Sequence, residues 1–361
     1  MDLFVARNSV RVKRRRFARK KTMSKKNGKT SKIYKSRFLE RCLAGIAKKH
    51  KLKHWNLSFG WIQSFEYESK SGEVRTTRVV GYDFPLNDCI GYCAAKDKAA
   101  TSLLLDEAKI PHVRNDLYLS PVISPMYCDR KLGCYDAVRR QLDDSKNGLV
   151  LKPKDGTSGS ETFHVTNPFE LEVAWTKLIS KHRDLVVCEY HEIQSEYRSI
   201  VLDGEVRLCY EKIRPQVVGN GRSTVRDLFY DYCALNPTFR GGNNSTGKPF
   251  GGRKGTDVPA KGEIVVLEWQ HNLCKGARAQ KLKTDDETRK RLEKIAIDVM
   301  RVLNLRFASV DIVRLDDDGK DLRVLEVNAG VMMENYSKQH PEDCAMCEKI
   351  YEDAILKCIA N

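Results

Sequence analysis

SVDIVRLDDDGKDLRVLEVN, residues 309–328, decides how the chain is read. Two runs rich in Val, Leu and Ile flank Asp318-Gly319, a pair that a tight two-residue hairpin favours because both positions take positive φ. Such a turn pairs Asp317 with Lys320 and, carried back along the strands, sets Asp311 opposite Glu326. Side chains alternate faces along a strand, so Asn328 projects on the side of Glu326 and three oxygen donors converge. Asp311, Glu326 and Asn328, with no His or Cys among them, suit a hard cation: Mg2+ first, Mn2+ second, keeping its waters and bridging to phosphate. Val310, Ile312, Val313, Leu325 and Val327 mark both strands as buried, unlike a solvated edge hairpin.

A phosphate-seeking ion calls for a phosphate-binding loop, and two Gly-rich stretches compete for the role. Gly242-x4-Gly247-Lys248 continues with Pro249 where a P-loop needs Ser or Thr, and no buried strand precedes it, so it is rejected. Lys152-Pro153-Lys154-Asp155-Gly156-Thr157-Ser158-Gly159-Ser160 follows the apolar strand LVLKP. A lysine at the strand end followed by flexible backbone amides suits a loop that closes over phosphates.

Outward from these segments the chain alternates strands and helices. FEYESKSGEVRTTRVVGYDF reads as a hairpin about Ser71-Gly72, and KDKAATSLLLDEAKIP as a helix that stops before Pro111. A helix is expected at 135–145, and another starts at Asn167-Pro168-Phe169-Glu170, with Asn as cap and Pro in the first turn. LVVCEY is a buried strand, and EYRSIVLDGEVRLCYEKIRP is a hairpin about Asp203-Gly204. Ser223 or Thr224 caps a further helix, and residues 236–262 carry too much Gly, Asn and Lys for a regular element. EIVVLEW is a strand, Thr284-Asp285-Asp286-Glu287 a capping box, and an amphipathic helix closes the chain.

A chain of 361 residues with 41% hydrophobic content buries a substantial core. It has no apolar run near the ~20 residues that a membrane span requires. The net charge of +16 is concentrated at one end: residues 1–39 hold fifteen Lys or Arg against the single acid Asp2, leaving the remainder near neutral at +2. Such a block repels itself and buries little, so 1–39 is expected to be a flexible basic arm able to contact polyanions. Its Arg-rich, acid-poor composition also leaves organelle import open, against a default cytoplasmic location. The twelve cysteines are scattered and mostly expected to be reduced and buried. His340, Cys344 and Cys347 could supply three zinc ligands, one short of a closed structural site.

The order of these segments resembles the ATP-grasp superfamily, in the branch of glutathione synthetase, cyanophycin synthetase and ribosomal-protein glutamate ligases. The resemblance runs over about residues 90–335 and rests on AAKDKAATSLLLDEAKIPHV, VLKPKDGTSGS, CEYHEIQSEYRSIVLDGEV, IRPQVVGNGRSTVRDL, QHNLCKGA and the VDIV and LEVNAG strands. It implies an α+β fold in which two α+β lobes clasp ATP. Residues 1–39 are then an arm, 40–110 a reduced amino-terminal region, 111–190 the lid lobe and 191–361 the metal-bearing carboxyl lobe.

By the same resemblance Lys98 and Lys152 bind ATP phosphates, with Gly156, Ser158 and Gly159 in the glycine lid. Glu189 and Tyr190 border adenine, Glu196 holds ribose and Arg198 the transferred phosphate. Arg214 stabilises an acyl phosphate, with Lys212 its substitute should the alignment slip around Pro215, and His271 and Asn272 sit at the reaction centre. The implied activity is ATP-dependent carboxylate–amine ligation, forming an amide or peptide bond on amino-acid or peptide substrates. The rival reading is a nucleic-acid-binding protein that acts through its arm, and the sequence leaves homodimer and homotetramer open.

Overall fold

The computed structural model describes residues 36–69, 71–119, 135–156, 159, 161–181, 184–236, 239, 249–282 and 286–360. The first described elements are helix α1 (Phe38–Lys49), strands β1 (Lys53–Leu57), β2 (Ile62–Glu68) and β3 (Val74–Val80) in one antiparallel sheet, and helices α2 (Cys89–Lys96) and α3 (Lys98–Glu107). The hairpin about Ser71-Gly72 is the β2–β3 pair; β1 was not anticipated. Helix α1 begins inside the stretch expected as arm, because Leu39, Leu43 and Ile46 recur at helical spacing and are buried. Residues 1–35 of that arm lie outside the described residues.

The segment expected as the lid lobe contains β4 (Asp116–Leu119), α4 (Tyr135–Asp144), β5 (Leu149–Pro153), β6 (Phe163–Val165), α5 (Pro168–Ile179) and β7 (Asp184–Glu189). Its antiparallel sheet is ordered β4-β7-β5-β6. Asn167 caps α5 through the amide of Glu170. Leu149, Leu151, Leu185 and Val187 face Leu171, Trp175 and Leu178 in this lobe's core. The alternate residues Val150, Lys152 and Cys188 therefore face away from the helices.

The carboxyl lobe contains β8 (Ser195–Leu202), β9 (Glu205–Ile213), β10 (Gln216–Val218), α6 (Val225–Leu235), β11 (Ile264–Val266), β12 (Arg278–Lys281), α7 (Asp286–Val302), β13 (Phe307–Arg314), β14 (Leu322–Asn328), α8 (Glu334–Gln339) and α9 (Cys344–Ala360). Its main sheet is antiparallel, ordered β12-β9-β8-β13-β14. One face packs on α7 through Tyr197, Val201, Val310 and Ile312. Part of the other, with Ile200, Leu208, Tyr210 and Phe307, packs against residues of α1, β2 and α9. Thr224 rather than Ser223 caps α6, in a reciprocal capping box with Asp227. The box expected at Thr284 and Asp285 lies outside the described residues. Within 236–262, the described part includes a short 3-10 turn, Pro249–Gly252, and Phe239 buried against Val217, Val225, Val265 and Leu267.

The β13–β14 hairpin departs from expectation at its tip while keeping the expected pairing at its base. The two-residue turn at Asp318-Gly319 is replaced by a wider loop: Leu315 donates to the Asp321 carbonyl, and Oδ2 of Asp316 accepts the amides of Lys320 and Asp321. This Asx-type bonding shifts the upper strands by one residue, pairing Arg314 with Leu322. A bulge between Asp311 and Ile312 shifts them back, so Asp311 does stand opposite Glu326, and Ser309 opposite Asn328. Pro111–Val113 covers the outer edge of β14, exchanging backbone hydrogen bonds with Val324.

Candidate active site

Pairing across the carboxyl sheet determines which side chains meet. Asp311 is opposite Arg198 on one side and Glu326 on the other, while β8 and β9 pair Glu196 with Lys212 and Arg198 with Tyr210. Directly opposed residues share a face, so Glu196, Arg198, Lys212, Asp311, Glu326 and Asn328 project to one side. That face becomes apolar farther along, at Ile200 and Leu208.

Ion pairing on the face is dense. Arg198 grips Asp311 with two bonds of 2.7 Å, one to each carboxylate oxygen. The Lys212 ammonium lies 2.9 Å from Asp311 and 2.5 Å from Glu196. Asp311 is only 2% exposed. Burial alone would raise its carboxyl, but Arg198 and then Lys212 outweigh burial and hold it down to about 2. Glu196 moves up, because burial outweighs its lysine partner. At the sheet edge Lys98, in the first turn of α3, lies 3.3 Å from Glu326.

Two lysines of the site hold carbonyls of the glycine loop. Lys98 donates to the Gly156 carbonyl at 2.7 Å, and Lys275 to that of Gly159 at 2.9 Å and to Oε1 of Gln270 at 2.5 Å. Gly159 takes φ +60°, and a Cβ there would stand 3.2 Å from both Gln270 and Asn272, so glycine suits the position twice over. Ser158 lies outside the described residues. Lys152 is half-buried and forms no hydrogen bond or ion pair with the described residues. It shares its strand face with Val150, which packs with Cys188 of the lid lobe and Val113 and Val313 beneath it. Tyr190, Ile193, Trp269, Leu315 and Leu325 border this apolar cluster between the lobes.

The other expected residues separate into near and displaced. Glu189 is exposed at the end of β7, and Tyr190 stacks on His164 at 3.7 Å. Glu196, expected at ribose, has Oε1 on the Lys212 ammonium and is 6% exposed. Arg214, expected at the reaction centre, pairs at 3.0 Å with Glu192, whereas Lys212 occupies the centre of the face. His271 is buried, and its Nδ1 donates to the Lys212 carbonyl at 2.7 Å. Its Nε2 is left buried without a partner among the described residues. Burial, followed by the charges of Arg214 and Lys212, pushes this imidazole down to about 4 despite the bond to the carbonyl, so it is neutral at pH 7. Asn272 accepts the Cys274 amide and starts the 3-10 turn Leu273–Lys275.

Sequence reasoning missed Gln270 and Lys275. The signal for both was their place inside QHNLCKGA. The zinc ligand set does not assemble: Nε2 of His340 donates to the Ala279 carbonyl, Cys347 is buried in the core, and the cluster that does form is His340, Glu342 and Asp343. Hard oxygen donors on paired strands, next to lysines at a glycine loop, fit a divalent ion with a phosphate-bearing partner: Asp311, Glu326 and Asn328 would be its ligands.

Parts of the chain are similar to known proteins. Residues 264–350 match the RimK-like ATP-grasp domain. Cyanophycin synthetase of Nostoc sp. is 30% identical over 199 residues, covering 50% of this chain and 22% of that protein. The Synechocystis sp. enzyme of the same name is 28% identical over 264 residues, 66% of this chain and 28% of that one. The chain thus spans about a quarter of the length of the curated relatives it matches. Among solved structures, a bifunctional glutathione synthetase from Pasteurella multocida aligns with TM-score 0.47 and 16% identity, over 85% of this chain and 44% of that one. D-alanine–D-alanine ligase from Bacillus anthracis aligns with TM-score 0.48 and 14% identity, over 75% and 71%. The RimK-like match thus spans the strands that carry Asp311, Glu326 and Asn328.

Proposed function

We propose that the protein is an ATP-dependent carboxylate–amine ligase, joining amino-acid or peptide substrates through an amide bond with release of ADP and phosphate. The observation that carries this reading is one sheet face bearing Asp311, Glu326 and Asn328 beside Lys98, Arg198 and Lys212, next to the glycine loop. Moving a phosphoryl group onto a carboxylate concentrates negative charge, and preorganised cations stabilise that charge without reorganisation. Lys98 and Lys152 would hold the phosphates, Arg198 the transferred group, and Lys212 the position first expected of Arg214. A magnesium ion on the three oxygen donors would supply further charge neutralisation at the phosphate oxygens.

The apolar cluster of Val113, Val150, Cys188 and Val313, bordered by Tyr190 and Trp269, suits a flat purine between the lobes. Gly156 and Gly159 belong to the loop that would shield an acyl phosphate from water before the amine attacks it. The neutral His271, pinned through Nδ1, offers Nε2 as an acceptor near that centre. The relatives' name, cyanophycin synthetase, supports synthesis as the direction of the reaction.

The test is an ADP-release screen of amino acids and short peptides in carboxylate and amine pairs, with mass spectrometry of the product. Amine-dependent ADP release with a new amide is expected, abolished by Lys152→Ala while circular dichroism stays unchanged. Turnover at the wild-type rate in Lys152→Ala removes that lysine from the mechanism, and an ester product overturns the amide assignment.

A further inference from the structure

We propose that Lys212, with Arg198, is a built-in counter-ion that keeps Asp311 from taking up a divalent ion until polyphosphate arrives. The proposal rests on the reading of Asp311, Glu326 and Asn328 as metal ligands. Both oxygens of Asp311 are engaged by the protein itself: Oδ1 by Nε of Arg198, Oδ2 by Nη2 of Arg198 and by the Lys212 ammonium. Glu326 has its own cation in Lys98, and Glu196 shares Lys212. Three carboxylates thus face three cations, and the face is formally neutral.

A dication entering such a site alone must displace a guanidinium or ammonium from Asp311. The displaced cation would stay close by, because Lys212 and Asp311 are 4% and 2% exposed and both lie within the sheet. Two like charges would then share a weakly solvated space, where repulsion is poorly screened. A polyphosphate changes the balance. Its oxygens offer Arg198 and Lys212 a new anion, and Asp311 is released to the ion that accompanies it. Metal and nucleotide affinities are then coupled, and the coupling is reciprocal.

Lys212 is the more informative of the two residues. It reaches Asp311 from two strands away, β9 to β13, and it also carries Glu196, so the lysine can leave Asp311 without losing its last partner. The fold thereby assigns Glu196 a positioning role, holding Lys212 on the face.

The experiment is a titration of the full chain with Mn2+ alone, without nucleotide, following free Mn2+ by electron paramagnetic resonance. Wild type is expected to bind at least ten-fold more weakly than Lys212→Met, with the gain lost again in the Lys212→Met, Asp311→Asn double variant. Arg198→Gln should give a gain in the same direction and serves if Lys212→Met fails a circular-dichroism check of folding. Wild-type binding as tight as that of the folded variants, or no gain in either, overturns the counter-ion role. The ligand reading would still stand if Asp311→Asn loses ADP release. A gain that survives Asp311→Asn puts the ion elsewhere and overturns both.

Discussion

Asp311 and Glu326 are opposed residues of one hairpin with one proposed task, yet their surroundings predict opposite stability costs on truncation. Asp311→Ala removes a buried carboxylate that neutralises the buried Lys212 and the half-buried Arg198, leaving both cations with Glu196 between them. Breaking a buried ionic cluster by deleting one partner costs about 3–5 kcal/mol. The Glu326 side chain is 33% exposed and 3.3 Å from Lys98, so its truncation costs about 0–1 kcal/mol once solvent screening is allowed for. Unfolding entropy of about 2 cal/mol/K per residue, over roughly 325 residues, gives about 0.7 kcal/mol/K. Asp311→Ala should therefore lower Tm by about 4–7 °C and Glu326→Ala by no more than about 1.5 °C. Thermal melts at pH 7 measure both Tm losses, and ADP release measures turnover. Both variants should lose turnover. Equal Tm losses would refute the account of the buried network, and wild-type turnover in Glu326→Ala would remove it from the metal site.

Lys275→Ala should raise KM for ATP several-fold with a smaller change in kcat, since the lysine ties Gly159 to Gln270; steady-state kinetics with Lys275→Arg as the rescue variant check this. His271 titrates near 4 in the fold against about 6.5 unfolded, so its share of stability is complete above pH 6.5 and falls away as the pH drops towards 4. That share is about 3 kcal/mol, and His271→Asn, which keeps a donor near the Lys212 carbonyl, should flatten the fall of denaturation midpoint over this range. Gly276→Ala should destabilise by about 2–4 kcal/mol, measured by urea unfolding. Its φ is +95°, and the added Cβ would stand 2.4 Å from the buried ring of Phe239.

Local chemistry made much of the fold legible. Asn167-Pro168 and Thr224 start helices because their side chains satisfy amides one turn away, a bond set by three residues of sequence. Asp203 and Gly204 both take positive φ, at 50° and 78°, as a two-residue turn requires. The tip of the β13–β14 hairpin was misread because Asp316 competes for the turn amides, a preference that the more familiar Asp-Gly pair concealed. The Asp311–Glu326 pairing was nonetheless right, because the bulge after Asp311 cancels the one-residue shift of the loop.

The β8–β9 hairpin carries the opposite lesson, and it bears on function. A plain register from Asp203-Gly204 pairs Leu202 with Glu205, as observed, and would put Glu196 opposite Glu211. Lys212 would then fall on the α7 side. A bulge between Ile200 and Val201 adds one residue, and because side chains alternate with period two, one residue turns every later position of β9 to the other face. Lys212 and Tyr210 thereby come beside Glu196 and Arg198, and Glu211 turns away. No turn signal marks this bulge. What favours it is non-local: without it two acids oppose each other and Asp311 loses one of its two cations, whereas with it every charge on the face is met. The residue at the centre of the site is selected by the electrostatics of the assembled sheet, and for that reason Arg214 looked the better candidate along the sequence while Lys212 is the one the fold brings in.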